Sequence, residues 1–420
     1  VCRRFAGLRI WVLLMALASC SVLPPKEKQG STYALPPTAA GPLAETSRVV
    51  SEKVGGRDAV LLIANAAEAL DWRLALVDSA QVSLDIQYFT WEDSASGHLL
   101  LRRLFEAADR GVRVRLMLDD LYLISSRSFT SIDARLAAIG SHPNIELKIF
   151  NPGKYRSGNM GIAGNYVNSF EEFNRRMHNK LFVADGRFAL LGGRNVGDEY
   201  FGLDRTYNFL DMDVLVSGPV IESMRAAFDI YWNSQAAYPA LEMVPESKRA
   251  DLTLLRAEND EAIEASRDAL ARFPLRPVSW DSVLRALPPR VEAANTAFLQ
   301  DTPHVARSDS DRLLQMIGNR YPTARSESII ITPYLIPVGD FLAELTAMVD
   351  SGVHVRVLTA SLASGNHSAV HAHYKKYRRD ILATGAELFE FRHDPSHELR
   401  ALSDVCLLYT SDAADDTQFV

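Results

Sequence analysis

The chain has 420 residues, 47% of them hydrophobic and 23% charged, which is enough to bury a large core and to fold as two units. A formal net charge of -7 argues against a bulk nucleic-acid-binding protein, which is usually basic. With only three cysteines, Cys2, Cys20 and Cys406, no disulfide framework is available. Stability must therefore come from packing.

The amino terminus has the pattern of an export signal. Three arginines among the first nine residues precede an apolar run over 10–18 that is too short to span a bilayer. The run ends in Leu-Ala-Ser-Cys20, which resembles the lipobox of bacterial lipoproteins, where cleavage before the cysteine is coupled to its acylation. We therefore predict a signal peptide over 1–19 and membrane anchoring through a lipidated Cys20, with an uncleaved anchor helix as the alternative. The expected location is the periplasm-facing surface of the bacterial cell envelope, and Ser21 favours the outer membrane.

An internal repeat organises the chain after residues 20–55, whose proline-rich, polar composition predicts a flexible tether. Each copy of the repeat predicts a strand, a helix, a strand, a second helix and a further strand. Two similar α/β halves with mixed sheets flanked by helices follow, over 56–240 and 321–403. A charged, helix-prone segment over 241–320 is predicted to connect them. The main predicted elements are 81–88, 97–110, 111–118 and 144–150 in the first copy, and 328–334, 340–351, 352–359 and 386–391 in the second.

The first half carries a polar motif on a predicted strand. Alternate side chains of a strand share a face, so His178 and Lys180 project together while Leu181 points the other way, into a core. Asp185 and the glycine after it predict a hairpin, and the returning strand delivers Asn195 near the start of the pair. An imidazole can attack phosphorus, while an ammonium and an amide stabilise charge on phosphate oxygens. The motif therefore predicts cleavage of a phosphodiester, with a structural role for Asp185.

The spacing of these residues is that of a known family. His-x-Lys, four residues, Asp, six residues, Gly-Gly-x-Asn is the signature of the phospholipase D superfamily. The flanking residues 173–177 and 197–201 resemble its bacterial cardiolipin synthase branch, particularly the cardiolipin synthase C-like members. The resemblance covers about 57–392 and implies two pseudo-symmetric α/β/α sandwich halves with mixed sheets. The matching positions are His178, Lys180, Asp185, Gly192, Gly193 and Asn195.

The resemblance also implies roles for individual residues. His178 is the nucleophile that forms a phosphohistidine, and Lys180 and Asn195 hold the phosphate. An acid at the position of Asp211 hydrogen-bonds a catalytic histidine, although Asp213 remains a candidate for the same role. Glu199 is a third candidate, with a structural role favoured.

Two further features concern the surroundings of the motif. Arg175 and Arg176 lie beside it and suit an anionic substrate, although pairing with neighbouring glutamates or a solvated position is equally open. Asp119 and Asp120 end a predicted strand and are interpreted as a loop-start pair or pocket rim. No His-Glu-x-x-His or Cys-x-x-Cys pattern occurs, and the resembled enzymes need no obligatory cation, so neither a metal nor a cofactor is predicted.

The symmetry predicts a second motif beyond 386–391, and the sequence has none there. Residues 407–416 resemble translated sequencing adapter, so 404–420 is predicted to be a non-native tail on a fragment whose second half is incomplete. Such a fragment is expected to be nearly inactive. His373 and Lys375 fit a literal His-x-Lys string, but the apolar spacing around them is helical, which favours a solvated or substrate-mouth helix.

These observations together predict a membrane-anchored phosphatidyltransferase or phospholipase D that acts on glycerophospholipids, with cardiolipin synthesis as the favoured reaction. The expected partners are a phospholipid substrate and the membrane, with no nucleic acid. An exported nuclease or phosphodiesterase of the same superfamily is one alternative, and a non-catalytic anionic-lipid-binding protein is another. The sequence leaves the oligomeric state open.

Overall fold

The computed structural model describes residues 23–27, 30–121, 129–156, 175–303, 323–365, 368–391 and 406–409. The predicted signal peptide and Cys20 lie outside these ranges. Within them, no helix combines the length and the apolar character needed to cross a bilayer.

Helices and strands alternate through most of the described chain. The helices are α1 (Pro42–Lys53), α2 (Ala66–Ser79), α3 (Ala95–Asp109), α4 (Phe129–Gly140), α5 (Ile221–Trp232), α6 (Ala240–Met243), α7 (Leu252–Ala265), α8 (Asp281–Ala286), α9 (Phe341–Asp350) and α10 (Ser368–Ala383). The strands are β1 (Asp58–Ile63), β2 (Ser83–Tyr88), β3 (Arg113–Asp119), β4 (Ile145–Phe150), β5 (Leu181–Ala184), β6 (Phe188–Gly192), β7 (Tyr207–Leu210), β8 (Asp213–Ser217), β9 (Ala237–Pro239), β10 (Glu292–Ala294), β11 (Glu327–Ile331), β12 (His354–Ala360), β13 (Glu387–Phe391) and β14 (Cys406–Tyr409).

A nine-stranded mixed sheet forms the centre of the first unit, in the order β10-β1-β8-β6-β5-β2-β3-β4-β9. Strands β2, β3 and β4 are parallel, and the remaining neighbours are antiparallel. The predicted hairpin is present as β5 and β6, with Phe182 opposite Leu190. Because β5 runs antiparallel to β2, its start lies at the carboxyl end of the parallel strands, where the residues before β5 can form a site. The predicted α/β fold class is confirmed.

Helices cover both faces of this sheet. Trp72 of α2 and Phe105 of α3 belong to the larger core, while Phe228 and Trp232 of α5 belong to the core on the opposite face. All four residues of β5 are buried, and they alternate between these two cores. Both faces of β5 are therefore packed, and side chains that could reach a ligand lie before the strand, up to Lys180.

The segment predicted as a flexible tether is packed against the body in its described part, so that prediction is wrong there. Helix α1 begins at Pro42, whose fixed φ suits the first helical position, and it buries Leu43 and Val50. The extended residues before it are held by polar side chains. Trp232 Nε1 donates to Thr32 Oγ1 at 2.8 Å, and Ala34 N donates to an Asp229 carboxylate oxygen at 3.0 Å. The segment is polar because it runs extended across the surface and forms hydrogen bonds with side chains of distant residues. Those partners are brought close only by the fold.

The connecting segment predicted over 241–320 also belongs partly to the first unit. Helix α7 packs against α3 and α4, and β10 adds a strand to the sheet by pairing Glu292 with Val60. Phe273 and Trp280, which lie between these elements, are buried in the larger core. The first unit therefore extends to at least residue 294, because this segment completes one sheet edge and one helical layer.

The predicted repeat is present in the second unit. Strands β11, β12 and β13 are parallel neighbours, as β2, β3 and β4 are in the first. Helices α9 and α10 pack on one face, where Val355, Val357 and Tyr374 are buried. On the other face Ile329 and Ile331 are 53% and 55% exposed.

Part of the predicted non-native tail lies in a strand. Residues of β14 pair in parallel with β7, with Leu408 opposite Phe209. The expectation that 404–420 fits no element is therefore wrong for these four residues. The rest of that tail lies outside the described ranges.

Candidate active site

The imidazole and ammonium of the motif lie side by side immediately before β5. The Lys180 ammonium donates from Nζ to His178 Nε2 at 3.0 Å and to the His178 carbonyl oxygen at 2.9 Å. The two side chains are buried, with 6% and 7% of the residue surface exposed. The structure therefore brings these two predicted residues together, as the alternation of a strand requires.

Phe89 supports the pair from the end of β2. Its ring meets the His178 imidazole edge to face, with centroids 4.6 Å apart and an interplanar angle of 72°. The Lys180 ammonium lies 5.5 Å from the centroid of the same ring, within the range of a cation-π contact. Sequence reasoning missed Phe89, because nothing in its local pattern distinguishes it from a core aromatic residue.

This environment favours a neutral imidazole. Burial and, secondarily, the adjacent Lys180 ammonium hold the pKa of His178 well below its usual range. Both causes disfavour the protonated ring, because one removes solvent and the other places a like charge beside it. The His178 ring is thus unprotonated at neutral pH, as a nucleophilic imidazole must be.

Asp185 holds the hairpin to the start of β2. Its carboxylate accepts hydrogen bonds from the backbone N–H groups of Gln81 at 2.9 Å, Val82 at 2.8 Å and Ser83 at 2.9 Å. Its own backbone adopts a positive φ of 53°, a conformation that aspartate tolerates. These contacts are structural, and they fix the hairpin that directly follows Lys180.

Asn195 is fully buried behind the pair, at the point where the chain leaves β6. Its Oδ1 accepts from Thr90 N at 3.0 Å, and its Nδ2 donates to the Tyr200 hydroxyl at 3.1 Å. Thr90 and Phe89 are adjacent in the chain, so Asn195 fixes the segment that carries the aromatic support of His178. Its predicted role as a phosphate ligand remains a prediction.

The two glycines of the motif permit a close approach of the chain before β8. A Cβ on Gly192 would lie 2.5 Å from the Met212 carbonyl oxygen and 2.6 Å from Asp213 Cα. A Cβ on Gly193 would lie 2.2 Å from Asp211 Oδ1. A larger residue at Gly192 would therefore push the backbone at the start of β8 away, and one at Gly193 would displace the Asp211 carboxylate.

Asp211 lies against Gly193, and its carbonyl oxygen accepts a short hydrogen bond from Arg194 Nη2. Burial and Lys180 account for the lowered pKa of His178. The role of Asp211 as the acidic partner of His178 therefore remains a prediction.

Asp213, the alternative candidate to Asp211, lies in a buried network of ion pairs. Its fully buried carboxylate accepts from Arg73 Nη1 at 2.9 Å, and Arg194 Nη1 lies 3.6 Å from the same oxygen. Arg194 also donates to the carbonyl oxygens of Ile63 at 3.0 Å and Tyr200 at 3.2 Å. This buried network joins four chain segments around the glycines and sets the position of Asn195. The variable position of the signature, Arg194, is thus a positioning residue that sequence reasoning did not identify.

Arg176 is held by partners within the protein, and its predicted role at the substrate phosphate remains a prediction. The Arg176 guanidinium is ion-paired with the buried carboxylate of Asp119 at 3.1 Å, and it donates to the Asn151 carbonyl oxygen at 3.0 Å. Asp119 also accepts from Met177 N at 2.8 Å, directly before His178. Arg176 and Asp119 therefore fix the backbone directly before His178. Arg176 supplies the charged partner that the buried Asp119 carboxylate requires. Arg175 is exposed, and its predicted place at the rim remains a prediction.

Asp120, which the sequence suggested as a pocket rim, is also fully buried. Its carboxylate is 2.6 Å from Arg156 Nη1 and accepts from Gly153 N at 2.7 Å. In the described ranges no group of three His, Cys, Asp or Glu side chains is arranged to hold a metal ion. The literal His-x-Lys string at His373 lies on α10, as its helical spacing predicted.

Two carboxyl groups lie close together beside the motif. Glu92 and Glu199 are hydrogen-bonded, and a Cβ on Gly197 would lie 3.0 Å from an oxygen of each. Burial, together with the charges of Glu199 and Asp198, raises the pKa of Glu92 to about 8. The pair lies next to the bridge between Trp91 and Val196 that ties the Asn195 loop to the end of β2.

This raised pKa predicts a pH-dependent stability. A carboxyl group whose pKa is raised on folding stabilises the protein below its unfolded pKa, and the contribution is lost as the pH rises through the folded value. We expect Glu92→Gln to stabilise the protein by about 1–2 kcal/mol near pH 9, after discounting for solvent screening, and to give no gain near pH 4. Chemical denaturation at both pH values measures this difference. Glu246→Gln, at an exposed site, is the matched control, and an equal gain from Glu92→Gln at both pH values would contradict the prediction.

Proteins of similar sequence share the region that carries this motif. The family described as "Cardiolipin synthase, PLD-like domain" matches residues 74–232, which include the whole motif. Cardiolipin synthase C of Escherichia coli (strain K12) is 36% identical and covers 77% of this chain and 67% of that protein. An uncharacterized protein of Helicobacter pylori (strain ATCC 700392 / 26695) is 28% identical and covers 80% of this chain and 66% of that protein. The crystal structure of phosphatidylserine synthase from Haemophilus influenzae Rd KW20 aligns with a TM-score of 0.52 at 12% identity, covering 87% of this chain and 79% of that one.

The fold and the motif are those of a phospholipase D-like protein. Within that class, the chain belongs to the cardiolipin synthase family. The family resemblance inferred from the motif is therefore confirmed. The chain spans about two thirds of the length of the two curated relatives described above.

Proposed function

We propose that this protein is a phosphatidyltransferase that cleaves the phosphodiester of a glycerophospholipid through a phosphohistidine and makes cardiolipin. The observation that carries the proposal is the contact of 3.0 Å between a buried neutral imidazole, His178, and the Lys180 ammonium. One group is a nucleophile and the other stabilises anionic oxygens, which is what phosphoryl transfer requires. Membership of the cardiolipin synthase family supports a phospholipid as the donor.

The reaction proceeds in two displacements. His178 Nε2 attacks phosphorus, so that a P–N bond forms while the P–O bond to the departing alcohol breaks and that alcohol takes a proton from a general acid. The hydroxyl of an acceptor then attacks phosphorus, the P–N bond breaks, and the proton of the acceptor returns to the same acid-base group. In the resembled family this group is the histidine of a second motif. With phosphatidylglycerol as donor and acceptor the products are cardiolipin and glycerol, whereas water as acceptor gives phosphatidic acid.

The position of Lys180 has a consequence for the first displacement. Its ammonium donates to the same Nε2 atom that must attack. A phosphate oxygen carries charge and forms hydrogen bonds about twice as strong as those of a neutral acceptor. An anionic substrate therefore draws the ammonium away and releases the lone pair of His178, so the nucleophile is exposed only where a phosphodiester is present.

We further propose that the protein works at a membrane. The lipobox-like sequence at Cys20 supports lipid anchoring, with the enzyme on the periplasm-facing side of the cell envelope. Anchoring places the His178 site beside its lipid substrate. Ser21 favours the outer membrane as the site of attachment.

The substrate class can be tested directly with the protein expressed from its full gene. Labelled phosphatidylglycerol in detergent micelles and supercoiled plasmid DNA are offered separately, and the products are resolved by chromatography and by gel. We expect labelled cardiolipin and glycerol with intact plasmid. Plasmid cleavage without lipid turnover would instead establish a nuclease. Lipid binding without any turnover of phosphodiester bonds would contradict an enzymatic role.

A further inference from the structure

Helix α10 of the second unit has an exposed basic face. Lys375, Lys376 and Arg379 are exposed, while Val370 and Ile381 are buried against the sheet. Arg379 lies three residues from Lys376 and four from Lys375, and residues at these spacings are neighbours on a helix surface. The three cations therefore form one patch, which we call the basic face. Its position opposite the buried side directs the charge away from the body of the protein.

The cations of the basic face have no ion-pair partner among the residues that the structure describes. In the described part of the chain no carboxylate forms an ion pair with Lys375, Lys376 or Arg379. Other exposed arginines have such partners, as in the pairs of Arg267 with Glu264 at 2.6 Å and Arg135 with Glu258 at 2.6 Å. Asp380 is the acidic residue of α10 and lies four residues from Lys376, so it offsets one of these charges, and the basic face keeps an excess of positive charge that an external anion would offset.

The composition around the basic face favours a broad anionic surface as its partner. The chain has a net charge of -7, which disfavours wrapping by an extended polyanion such as nucleic acid, whereas a local patch can still contact a flat anionic surface. Leu382 lies one turn beyond the patch and is 52% exposed. Cationic side chains beside an exposed apolar residue are typical of protein surfaces that contact the bilayer interface.

We propose that the basic face of α10, formed by Lys375, Lys376 and Arg379, binds the surface of an anionic phospholipid bilayer. This inference rests on the proposed function, because an enzyme that acts on phospholipids must meet its substrate in such a surface. Binding there is electrostatic and peripheral, and it is independent of the acyl chains proposed for Cys20. The basic face therefore orients the enzyme on its membrane, while the lipid anchor retains it.

Vesicle sedimentation tests this proposal on the full chain with Cys20→Ser in every variant, so that acylation cannot mask peripheral binding. The vesicles contain phosphatidylcholine with or without phosphatidylglycerol. We expect binding only with phosphatidylglycerol, and its loss at high salt. The triple variant Lys375→Gln, Lys376→Gln, Arg379→Gln should bind about 100-fold more weakly, from about fivefold for each charge removed. The control triple variant neutralises exposed cations elsewhere and has the same net charge: Arg205→Gln, Lys248→Gln and Arg285→Gln.

The outcomes separate the basic face from the proposed catalytic activity. Equal binding by the two triple variants, or equal binding to both vesicle types, would overturn the proposal for α10. So would loss of duplex DNA binding, rather than vesicle binding, in the α10 variant. Circular dichroism of each variant establishes that it is folded. If vesicle binding depends on α10 but the full-gene protein turns over no phospholipid in micelles, the proposed function is contradicted and the proposal for the basic face is supported. Turnover in micelles with unchanged vesicle binding by the α10 variant gives the reverse result.

Discussion

Replacement of His178 by alanine is expected to lower the rate of phosphatidyl transfer by at least about 1,000-fold, because the variant lacks the nucleophile on which both displacements depend. The assay follows labelled cardiolipin formed from phosphatidylglycerol in micelles by the protein of the full gene. A donor labelled at phosphorus should also leave an acid-labile adduct on the native protein. That adduct should be absent from the variant.

The matched control is His354→Ala, which removes an exposed imidazole from the second sheet and should retain the native rate. His178→Ala should remain folded, because its removal also relieves the burial of a titratable ring beside the Lys180 ammonium. Thermal unfolding of the variant tests this point. A rate within tenfold of the native rate in a folded His178→Ala protein would remove His178 from the mechanism.

Replacement of Asp213 by alanine is expected to have the largest effect on stability. The buried carboxylate lies between the guanidinium groups of Arg73 and Arg194, and its loss leaves two buried cations without their counterion. Removing one partner from a buried ion pair costs about 3–5 kcal/mol. Unfolding in guanidinium chloride, followed by tryptophan fluorescence, measures the change. Trp72 and Trp232 lie in the two cores and report on both faces of the sheet.

An exposed ion pair provides the comparison for Asp213. Glu52 pairs with Arg48 on the surface of α1 at 2.7 Å, and Glu52→Ala should cost no more than about 0.5 kcal/mol. Asp213→Asn keeps the shape of the side chain without its charge, so it should be destabilising as well. If Asp213→Ala unfolded at nearly the same denaturant concentration as Glu52→Ala, the network around Arg194 would have no structural importance.

Local patterns predicted the repeated elements and the centre of the site. Alternation placed His178 and Lys180 together, and the Asp185 turn gave the hairpin of β5 and β6. Helical spacing placed His373 on a helix rather than in a second motif. These predictions succeeded because each depends on residues close together in the chain, where backbone periodicity determines direction.

Contacts between distant segments could not be predicted in the same way. Composition described the residues around Thr32 as a tether, although Trp232 binds them across the fold. The charge of Arg176 suggested a phosphate ligand, and it did not reveal the ion pair with Asp119 at the end of β3. A sequence shows the charge of a side chain, but it does not show which distant carboxylate lies beside it. Phe89 was missed for the same reason, since its partner His178 is far away in the chain.

The edges of the nine-stranded sheet differ from those of the smaller one. Strands β9 and β10 close the large sheet and contain only three residues each, and β9 ends in Pro239, which has no N–H to offer. Strand β11 is longer and carries Ile329 and Ile331 on its exposed face. Among the described strands, self-association by strand addition is therefore disfavoured at the edges of the first sheet, and the five-residue edge strands β11 and β13 of the second sheet are the places where it would begin.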